Sequence, residues 1–430
     1  MGSASSNGEH WIATLAGSTD DLAYGVTVDS LDNIILCGWT SSSGAGSRDV
    51  LVAKYDSLGE QLWDKTLGGQ GTDEGYSVIV DSSDNIIVCG LTRVYGTSLY
   101  QLLVAKYNSS ETLLNLQLLW NKKLGGSVED MGYGVAIDSS DNIIVCGWTL
   151  SGNAGLSDLL VAKYNSSGVL QWDKTLGGSD NERAYGVTVD SLDNIIVCGR
   201  TNSDGEGDDD VLVAKYNSSG VLQWDKTLGS IYYNNAFGVA VDSLDNIIVC
   251  GDTSPSIFAN QIDILVAKYN SSGVLQWDKK LVGVNQNKQD YGRGVTIDSL
   301  DNIIVCGTTT NNAGTFDFLV AKYNSSGVLQ WDKTLGSIYN DRALGVAVDS
   351  LDNIIVCGYS RYGELYYDKI LFAKLPPDGT GDGTYEGIVY QDAGMTSTNA
   401  GLTDAAAVLT DAAAGLVSGN PVLTSELIPI

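Results

Sequence analysis

The sequence predicts an all-β fold, a seven-bladed β-propeller whose blades are four-stranded antiparallel sheets. The first observation is a repeated unit: the run DNIIVCG or a near copy recurs at spacings of 51 to 57 residues. The second is that each unit contains four short segments separated by turn-forming residues. The third is that the last unit lacks its fourth segment, which stands instead near the N-terminus. Short strands at a fixed period of this length are typical of propeller blades.

Each unit carries three markers, and all three count seven blades. The first is the cysteine of DNIIVCG, found at Cys37, Cys89, Cys146, Cys198, Cys250, Cys306 and Cys357. The second is the lysine of LVAKY, found at Lys54, Lys106, Lys163, Lys215, Lys268, Lys322 and Lys374. The third is the tryptophan of LQWDKTLGG, found at Trp11, Trp63, Trp120, Trp172, Trp224, Trp277 and Trp331. The agreement predicts one closed array of seven blades.

Four strands are predicted in each unit, and we name them a to d in chain order. The runs GVTVD, NIIVCG, LVAKY and VLQWDKTLG favour strands, because β-branched and aromatic residues suit a pleated sheet. The runs DSLDN and NSSG stand between strands a and b and between strands c and d, and they favour tight turns. The 51 Gly and only 5 Pro agree with many short turns.

The two ends of the repeat array predict how the ring closes. The last unit stops at LFAKLPPDG and has no strand d. The segment 10–17, which contains Trp11, matches the run QWDKTLGG in register. We therefore expect this segment to supply the outermost strand of the last blade, because a free sheet edge would invite aggregation.

The repeated runs resemble a known family. GVAVDSLDNIIVCG followed by LVAKYNSSGVLQWDKTLGG resembles the SBBP propeller repeat of bacteria and archaea and, more distantly, NHL-type propeller repeats. The resemblance covers about residues 10–375 and implies the propeller fold; such repeats occur in surface and secreted proteins of many roles. One departure is that the family usually has Gly in the a–b turn, where this chain has Asp32, Asp84, Asp141, Asp193, Asp245, Asp301 and Asp352. Asp tolerates a left-handed backbone, so we expect the turn to be kept.

Charge and hydropathy restrict the partners. The net charge of -28 repels nucleic-acid phosphates and anionic lipid headgroups. No apolar run approaches the length needed to cross a bilayer. We therefore expect no nucleic-acid partner and no membrane insertion.

The cysteines indicate where the chain is made. They stand mid-strand, where equivalent positions of neighbouring blades are about 10 Å apart, beyond the ~7 Å reach of a disulfide. We expect seven reduced, buried thiols, which favour assembly in a reducing cytoplasm. The start MGSASSNGEHW has no secretory signal pattern. We expect the final location to be extracellular, on a virion or a cell surface, because virion proteins are made in the cytoplasm and work outside the cell.

Variation between the units is confined to one end of the predicted blades. The a–b and c–d turns are near copies in every unit, whereas the b–c and d–a loops differ. We name the end with the differing loops the variable face and the other end the repetitive face. Loops on a rigid scaffold often carry binding, so the variable face is the predicted recognition surface. Simple drift after duplication is the alternative.

Aromatic side chains are scattered through the variable loops. They are candidates for contact with a protein or glycan partner, because aromatic rings give large contact areas at low entropy cost. The alternative is that several only cap blade edges. The candidates are Trp39, Tyr95, Tyr100, Trp148, Tyr232, Tyr233, Phe258, Phe316, Tyr339, Tyr359, Tyr362, Tyr366 and Tyr367.

One acidic loop is a candidate cation site. The loop 204–210 offers Glu206, Asp208, Asp209 and Asp210, and oxygen clusters of this kind suit Ca²⁺. The alternative is a solvated acidic loop. We expect weak calcium binding at most and no other cofactor. The five NSS sequons recur in the c–d turns and are interpreted as turn residues rather than glycosylation sites.

The composition changes at the two prolines that follow the last unit. The predicted division is an N-terminal extension at 1–9, the propeller at 10–375 and an Ala/Gly/Thr-rich tail at 376–430. Leu402, Leu409 and Leu416 stand seven apart. This spacing predicts a short helix that self-associates or attaches the propeller to an assembly; a flexible linker is the alternative.

The function predicted from these features is structural and non-enzymatic. His10 is the only histidine, which argues against a histidine-based triad or a multi-histidine metal site. The preferred hypothesis is a propeller that presents its variable face to a protein or glycan partner, as part of a virion or cell-surface appendage. The alternatives are a lectin-like adhesin or secreted glycan-binding module, and a carbohydrate-active enzyme that uses loop carboxylates.

Overall fold

Seven antiparallel sheets stand around one axis, and each sheet is a blade. The computed structural model describes residues 5–6, 10–151, 156–205, 207–254, 261–283, 289–361, 367–385, 388–405, 410–412, 417–419 and 424–427. Each blade contains the predicted strands a to d, so the prediction of an all-β, seven-bladed propeller is confirmed. One 3-10 turn, Leu113–Asn115, lies in the c–d connection of blade 2. No helix in the described ranges is long and apolar enough to cross a membrane.

Strands a to d run from the central axis to the outer edge in each of blades 1 to 7. The innermost strands a are Asp21–Val28, Asp73–Val80, Asp130–Ile137, Glu182–Val189, Asn234–Val241, Tyr291–Ile297 and Asp341–Val348. The strands b are Ile34–Thr40, Ile86–Arg93, Ile143–Thr149, Ile195–Thr201, Ile247–Thr253, Ile303–Thr310 and Ile354–Ser360. The strands c are Asp49–Tyr55, Tyr100–Tyr107, Asp158–Tyr164, Asp210–Tyr216, Asp263–Tyr269, Phe316–Tyr323 and Lys369–Leu375. The strands d are Gln61–Gly68, Leu118–Gly125, Leu170–Gly177, Leu222–Gly229, Leu275–Val282, Leu329–Gly336 and Trp11–Leu15.

The apolar core lies between blades. Ile196 and Cys198 of blade 4 pack with Ile247 and Leu265 of blade 5 in one cluster. Strands b and c are buried on both faces, which explains why NIIVCG and LVAKY are almost continuous apolar runs. All seven cysteines are buried, and burial raises the pKa of the Cys37 thiol.

A buried ion pair joins strand c to the a–b turn in every blade. In blade 4 the Lys215 Nζ lies 2.8 Å from the Asp190 Oδ2, and the two side chains are only 8% and 2% exposed. The Asp190 carboxylate also accepts hydrogen bonds from the backbone N–H groups of Leu192 and Asn194. Burial works against the charged form, but Lys215 and these donors hold the pKa of Asp190 below its usual value. The equivalent pairs are Lys54–Asp29, Lys106–Asp81, Lys163–Asp138, Lys268–Asp242, Lys322–Asp298 and Lys374–Asp349.

The a–b turns are hydrogen-bonded to one another around the whole ring. Ser191 donates its backbone N–H and its hydroxyl to the two carboxylate oxygens of Asp245 in the next blade, over 2.9 Å and 2.7 Å. The same two bonds join Ser350 to Asp32, where blade 7 meets blade 1. The other pairs are Ser30–Asp84, Ser82–Asp141, Ser139–Asp193, Ser243–Asp301 and Ser299–Asp352. Each acceptor Asp has a φ between 57° and 62°, so the predicted left-handed turn is confirmed.

The c–d turn of each blade rests on the tryptophan of the blade before it. Gly220 of blade 4 has a φ of +78°, and a Cβ at this position would lie 2.9 Å from the ring of Trp172. A glycine is therefore required both by the backbone conformation and by the close approach. The Asn217 side-chain oxygen accepts the N–H groups of Ser219 and Val221. This geometry agrees with the interpretation of the NSS sequons as turn residues.

The N-terminal strand completes the last blade as predicted. Trp11–Leu15 pairs antiparallel with Lys369–Leu375, with Trp11 opposite Lys374. The Trp11 ring lies under Gly59 of blade 1, in the way that five other strand d tryptophans lie under a glycine of the following blade, namely Trp120, Trp172, Trp224, Trp277 and Trp331. The predicted closure of the ring is confirmed.

The C-terminal tail runs around the outside of the propeller and adds an edge strand to six blades. We name these six strands the belt. From blade 6 down to blade 1 they are Ile388–Asp392, Thr396–Thr398, Thr403–Ala405, Thr410–Ala412, Val417–Gly419 and Thr424–Leu427. Gly383–Tyr385 adds a further strand to blade 6, and Ser5–Ser6 adds one to blade 7. Every blade therefore has a strand outside strand d.

The seven-residue period of the tail follows the spacing of the blades. Five of the belt strands begin seven residues apart, because each step carries the extended chain from one blade edge to the next. Seven extended residues span at most about 25 Å. The expected helix is wrong where its segment is described, because Thr403–Ala405 and Thr410–Ala412 pair with blades 4 and 3 as strands. Leu409 and Leu416 lie outside the described residues, and self-association through the tail stays a prediction.

An apolar residue just before each of the belt strands Thr396–Thr398 and Thr403–Ala405 holds the belt to the propeller. Leu402 packs against the cluster between blades 4 and 5, and its N–H donates to the Asp278 carboxylate over 2.9 Å. Met395 is buried in the cluster of the preceding step, and its N–H donates to Asp332. The aspartate that follows the tryptophan of strand d thus serves as an acceptor for the belt.

Replacing Lys215 with methionine should destabilise the fold, because it leaves the Asp190 carboxylate buried without its cation. We expect the free energy of unfolding in urea to fall by about 3–5 kcal/mol. Adding Asp190→Asn should recover part of the loss, since the neutral amide still offers an oxygen to the turn. The control Lys226→Met, in a partly exposed part of strand d, should cost less than about 0.5 kcal/mol. Equal losses for Lys215→Met and Lys226→Met would contradict the role of the buried pair.

Deleting residues 393–430 should lower the free energy of unfolding by at least about 3 kcal/mol, because Met395 and Leu402 lose their packing. The circular-dichroism spectrum should keep its strand signature, since strands a to d remain. A control deletion of residues 420–430 removes one belt strand and should cost less. Identical unfolding curves for the full chain and the longer deletion would show that the belt adds no stability.

Candidate functional site at the channel mouth

All seven arginines of the chain stand at the variable face or in the parts of strands a and b that lead to it. They are Arg48, Arg93, Arg183, Arg200, Arg293, Arg342 and Arg361. At the repetitive face, by contrast, each strand c lysine forms an ion pair with a buried aspartate. Four of these arginines are paired with carboxylates, so Arg93, Arg183 and Arg342 are the ones that form no ion pair within the described residues.

Strand a of every blade has a β-bulge at the same position. In blade 1 the pairing passes from Ala23–Gly38 to Gly25–Cys37, so Tyr24 has no partner residue on strand b. Bulges of this kind redirect a side chain, and they are frequent near functional sites. The seven bulged residues, which we name the channel ring, are Tyr24, Tyr76, Tyr133, Tyr185, Phe237, Arg293 and Leu344.

The channel ring forms an aromatic arc around the central axis. Successive ring centroids lie 4.9 Å apart for Tyr24–Tyr76, 5.0 Å for Tyr76–Tyr133, 5.2 Å for Tyr133–Tyr185 and 5.1 Å for Tyr185–Phe237. The Arg293 Cζ lies 4.3 Å from the centroid of Phe237. All these side chains are partly exposed. The channel therefore offers aromatic surface over five blades and a cation at the sixth.

The residues just outside the channel ring differ from blade to blade. On strand b they follow the repeated Cys-Gly pair and are Trp39, Leu91, Trp148, Arg200, Asp252, Thr308 and Tyr359. On strand a they lie opposite these and are Leu22, Glu74, Met131, Arg183, Asn235, Tyr291 and Arg342. The preceding run of strand b is nearly identical in all blades. The differences between blades are therefore concentrated at the channel mouth.

One carboxylate at the mouth is held between a cation and a phenol. The Arg48 Nη1 lies 2.5 Å from the Glu74 Oε1, and the Tyr76 hydroxyl donates to the Glu74 Oε2 over 2.6 Å. Burial first, and then the Glu74 charge, raise the pKa of Tyr76. Tyr76 therefore stays protonated at neutral pH and can act as a hydrogen-bond donor or a general acid.

A second carboxylate is paired with Arg293 of the channel ring. The Arg293 Nη1 lies 3.1 Å from the Asp252 Oδ2, and the Gly292 N–H donates to the Asp252 Oδ1 over 2.9 Å. Burial raises the pKa of Asp252 to about 6, while Arg293 opposes the shift. This carboxyl group consequently changes its protonation near neutral pH.

The two tryptophans predicted as exposed recognition residues are buried. Trp39 is 4% exposed and Trp148 is 5% exposed. Each lies beneath an arginine: the Arg48 Cζ is 4.0 Å from the Trp39 ring centroid, and the Arg183 Cζ is 4.7 Å from that of Trp148. Their exposure was predicted wrongly, because strand b continues through them to the rim. They support the arginines through cation–π contacts.

The other predicted aromatics are distributed around the variable face. Phe316 supports Arg342, whose Cζ lies 4.3 Å from its ring centroid, and Tyr100 lies 6.0 Å from the Arg93 Cζ. Tyr95 and Tyr367 are exposed, as is Tyr233, whereas Tyr232, Tyr339 and Tyr359 are partly exposed. Phe258, Tyr362 and Tyr366 lie outside the described residues. Contact of these side chains with a partner stays a prediction.

The acidic loop has protein partners for two of its carboxylates. The Asp209 Oδ2 lies 2.8 Å from the Arg200 Nη1, and Asp210 accepts the N–H of Gly207. Glu206 lies outside the described residues. Within the described ranges, no group of three or more His, Cys, Asp or Glu residues is arranged to hold a metal ion. Calcium binding by Glu206, Asp208, Asp209 and Asp210 stays a prediction.

The channel ring was not predicted from the sequence, because its residues lie inside predicted strands and the variable face was defined by its loops. The sequence nevertheless contains two signals for it. The residue before the Gly-Val or Ser-Val of strand a is aromatic in five of the seven units. The residue after each Cys-Gly pair of strand b varies between units.

Two models of known protein families match parts of the sequence. The model described as SBBP, beta-propeller repeat, matches residues 279–312. Over these residues the chain matches the SBBP repeat. A model described as a domain of unknown function (DUF5122), beta-propeller, matches residues 301–329. The resemblance stated from the sequence is thereby confirmed.

Curated relatives of this chain are distant and longer. The uncharacterized WD repeat-containing protein L264 of Acanthamoeba polyphaga mimivirus is 22% identical over 434 residues, covering 69% of this chain and 31% of the relative. The regulatory protein FlaEY of Caulobacter vibrioides is 22% identical over 278 residues, covering 53% of this chain and 28% of the relative. The chain thus spans less than a third of the length of either relative.

Solved structures share the propeller architecture. The polysaccharide lyase Uly1 superposes with a TM-score of 0.51 at 10% identity, covering 83% of this chain and 90% of the lyase. A PL25 ulvan lyase bound to -[GlcA(1-4)Rha3S]- superposes with a TM-score of 0.51 at 12% identity, covering 88% of this chain and 98% of the lyase. At these identities the likeness shows the fold.

The prediction that this chain is not an enzyme is contradicted. It rested on the single histidine and on the absence of a distinguished carboxylate pair. The lyases carry out carbohydrate chemistry on the same propeller architecture, so neither premise excludes catalysis. The channel mouth also contains three ionisable groups that the repeat pattern concealed, namely Glu74, Tyr76 and Asp252.

The stability of the propeller should have a maximum at mildly acidic pH. Burial raises the pKa of Asp252 and Asp317 to about 6, so the folded state binds protons that the unfolded state does not. The melting temperature should therefore rise as the pH falls from about 7 to about 5. Asp190 and its six equivalents have lowered pKa values, so their stabilisation is lost below about pH 4.

The measurement is thermal unfolding by calorimetry across this pH range. The variant Asp317→Asn should show a smaller rise between about pH 7 and about pH 5, because one of the proton-binding groups is gone. A melting temperature that falls steadily from neutral pH downwards would contradict the raised pKa values at the variable face.

Proposed function

We propose that the protein recognises an acidic polysaccharide at the mouth of its central channel. The observation that carries the proposal is the placement of all seven arginines at this face, beside an aromatic ring that lines the channel. Guanidinium groups suit carboxylate and sulfate oxygens, because they offer several donors in a fixed plane. Aromatic faces suit the apolar faces of sugar rings.

Two arginines are especially suited to the ligand. Arg183 and Arg342 form no ion pair with a carboxylate in the described part of the chain, whereas Arg48, Arg200 and Arg293 each do. Arg183 lies over the ring of Trp148, and Arg342 lies over the ring of Phe316. These contacts orient the guanidinium groups without neutralising their charge. A polyanion is repelled by the rest of a chain with a net charge of -28, so these sites would also determine where it docks.

The comparisons supply independent support for a carbohydrate. The PL25 ulvan lyase with the same architecture is bound to an oligosaccharide written -[GlcA(1-4)Rha3S]-, which carries uronate and sulfate groups. The ligand class proposed for this chain from its arginines is the same class of acidic glycan. The identity of 12% transfers no residue role, so the proposal rests on the residues of this chain.

Cleavage of the bound glycan is the second candidate function. The observation that favours it is the arrangement of Arg48, Glu74 and Tyr76, in which a phenol hydroxyl and a carboxylate lie 2.6 Å apart. A carboxylate can accept a proton from a sugar carbon, and a protonated phenol can donate one to the leaving oxygen.

We also propose that the protein acts on a virion or a cell surface. The similarity to a mimivirus protein supports this location.

The double variant Arg183→Ala with Arg342→Ala should lose affinity for a polyuronate. We expect at least a tenfold weaker Kd by isothermal calorimetry, since each charge-assisted hydrogen bond contributes about 1.5–3 kcal/mol. Binding of the native chain should weaken with added salt, and a neutral glucan should bind less tightly. The control Lys174→Ala with Lys226→Ala, on the outer strands d, should bind like the native chain. Equal affinity for the polyuronate and the neutral glucan would overturn the proposal.

Incubation of the native chain with the same polyuronate tests cleavage directly. An elimination generates an unsaturated uronate that absorbs in the ultraviolet, whereas hydrolysis generates reducing ends without that absorbance. The variant Tyr76→Phe should abolish either product while it keeps the glycan bound, because the bulged ring remains in the channel. Binding without any product in the native chain would leave recognition as the function and exclude cleavage of that polymer.

A further inference from the structure

The repetitive face exposes apolar side chains in a regular order. The a–b turns of blades 4, 5, 6, 7 and 1 each expose a leucine by 66% to 75%, namely Leu192, Leu244, Leu300, Leu351 and Leu31. The c–d turns add side chains exposed by 55% to 66%, namely Val169, Val221, Val274, Val328 and Leu58. We name these ten residues the apolar crescent.

The turns that carry the apolar crescent are neighbours around the ring. The a–b turns that carry its leucines are hydrogen-bonded to one another, as in Ser243 to Asp301 and Ser299 to Asp352. Soluble monomers rarely expose a contiguous apolar patch of more than a few hundred Å². Ten side chains that are more than half exposed offer an area on the order of the ~800 Å² that each partner contributes to a standard protein interface.

The leucines of the crescent are not needed by the turns that carry them. Blades 2 and 3 have Ser83 and Ser140 at the same position. In both, the backbone N–H donates to the turn aspartate, over 2.9 Å to Asp81 and 3.0 Å to Asp138. The bond in the leucine turn of blade 5 is the same, at 3.0 Å. The turn geometry therefore explains the aspartates but not the five leucines.

We propose that the apolar crescent is an interface between two copies of this chain related by a two-fold axis. Such an axis brings the same patch of each copy together, so the contact requires no complementary surface elsewhere. The carboxylates of the Asp29 set are paired with lysine, whereas those of the Asp32 set accept hydrogen bonds from serine and keep their negative charge. Two copies therefore repel one another at this face until salt screens these charges, and burial of the leucines must outweigh that repulsion.

The dimer would leave both variable faces open on opposite sides. Two channel mouths on one particle would then engage two segments of a polymeric ligand, which strengthens binding without a new contact. The interface is independent of the proposed glycan site, because the crescent and the arginines lie at opposite ends of the blades.

Sedimentation of the full chain over a range of concentrations tests the interface. We expect a monomer–dimer equilibrium that tightens with added salt, because salt screens the repulsion between two negatively charged copies. The variant Leu244→Ser with Leu300→Ser should raise the dimer Kd at least tenfold, while its melting temperature stays unchanged. Serine is tolerated at this position by blades 2 and 3 of the same chain.

The matched control is Ile231→Ser with Ile338→Ser. These isoleucines are 65% and 79% exposed but lie in d–a loops at the variable face. The control should dimerise like the native chain. A native chain that stays monomeric at every salt concentration, or a crescent variant that dimerises like the control, would overturn the proposal. Glycan binding per monomer should be equal in both variants, so failure of the interface is distinguishable from failure of the glycan site.

Discussion

The a–b turn is the element on which the rest of the structure depends. One of its aspartates is buried against the lysine of strand c, and the other adopts a left-handed backbone and accepts two hydrogen bonds from the preceding blade. These contacts recur around the full circle, including Ser350 to Asp32 at the seam. Since each blade is held on both sides, no blade is an end of the array. The opposite ends of the blades are free of this task, and their residues can diverge.

The fold could be predicted from the sequence because its markers are local and repeated. Trp11 showed the register of the closing strand, and the prediction was confirmed by its pairing with Lys374. The tail was misinterpreted because a period of seven is shared by a helical heptad and by a strand that meets one blade every seven residues. Only the distance between blade edges separates the two, and that distance is a property of the assembled ring rather than of the tail.

The candidate site was harder to predict, because its members come from seven blades about fifty residues apart in the chain. Tyr24 and Tyr76 lie within predicted strands, and the bulge that turns them into the channel has no marker of its own beyond the glycine or serine that follows. Trp39 was predicted as a contact residue of a variable loop, whereas it lies at the end of strand b beneath Arg48. Comparison of the repeats identifies the residues that all blades share, whereas the chemistry of this site depends on residues that differ between blades.

The belt couples the length of the tail to the number of blades. Its strands meet blades 6 to 1 in turn, and most steps take seven residues. A propeller that gained a blade by duplication of one unit would also need another seven residues of tail, or an outer edge would stay bare. Loss of a unit would leave tail strands without a sheet. The length of the tail is therefore matched to the number of repeats. Unequal recombination between the similar repeat units of the gene would break this match and destabilise the product.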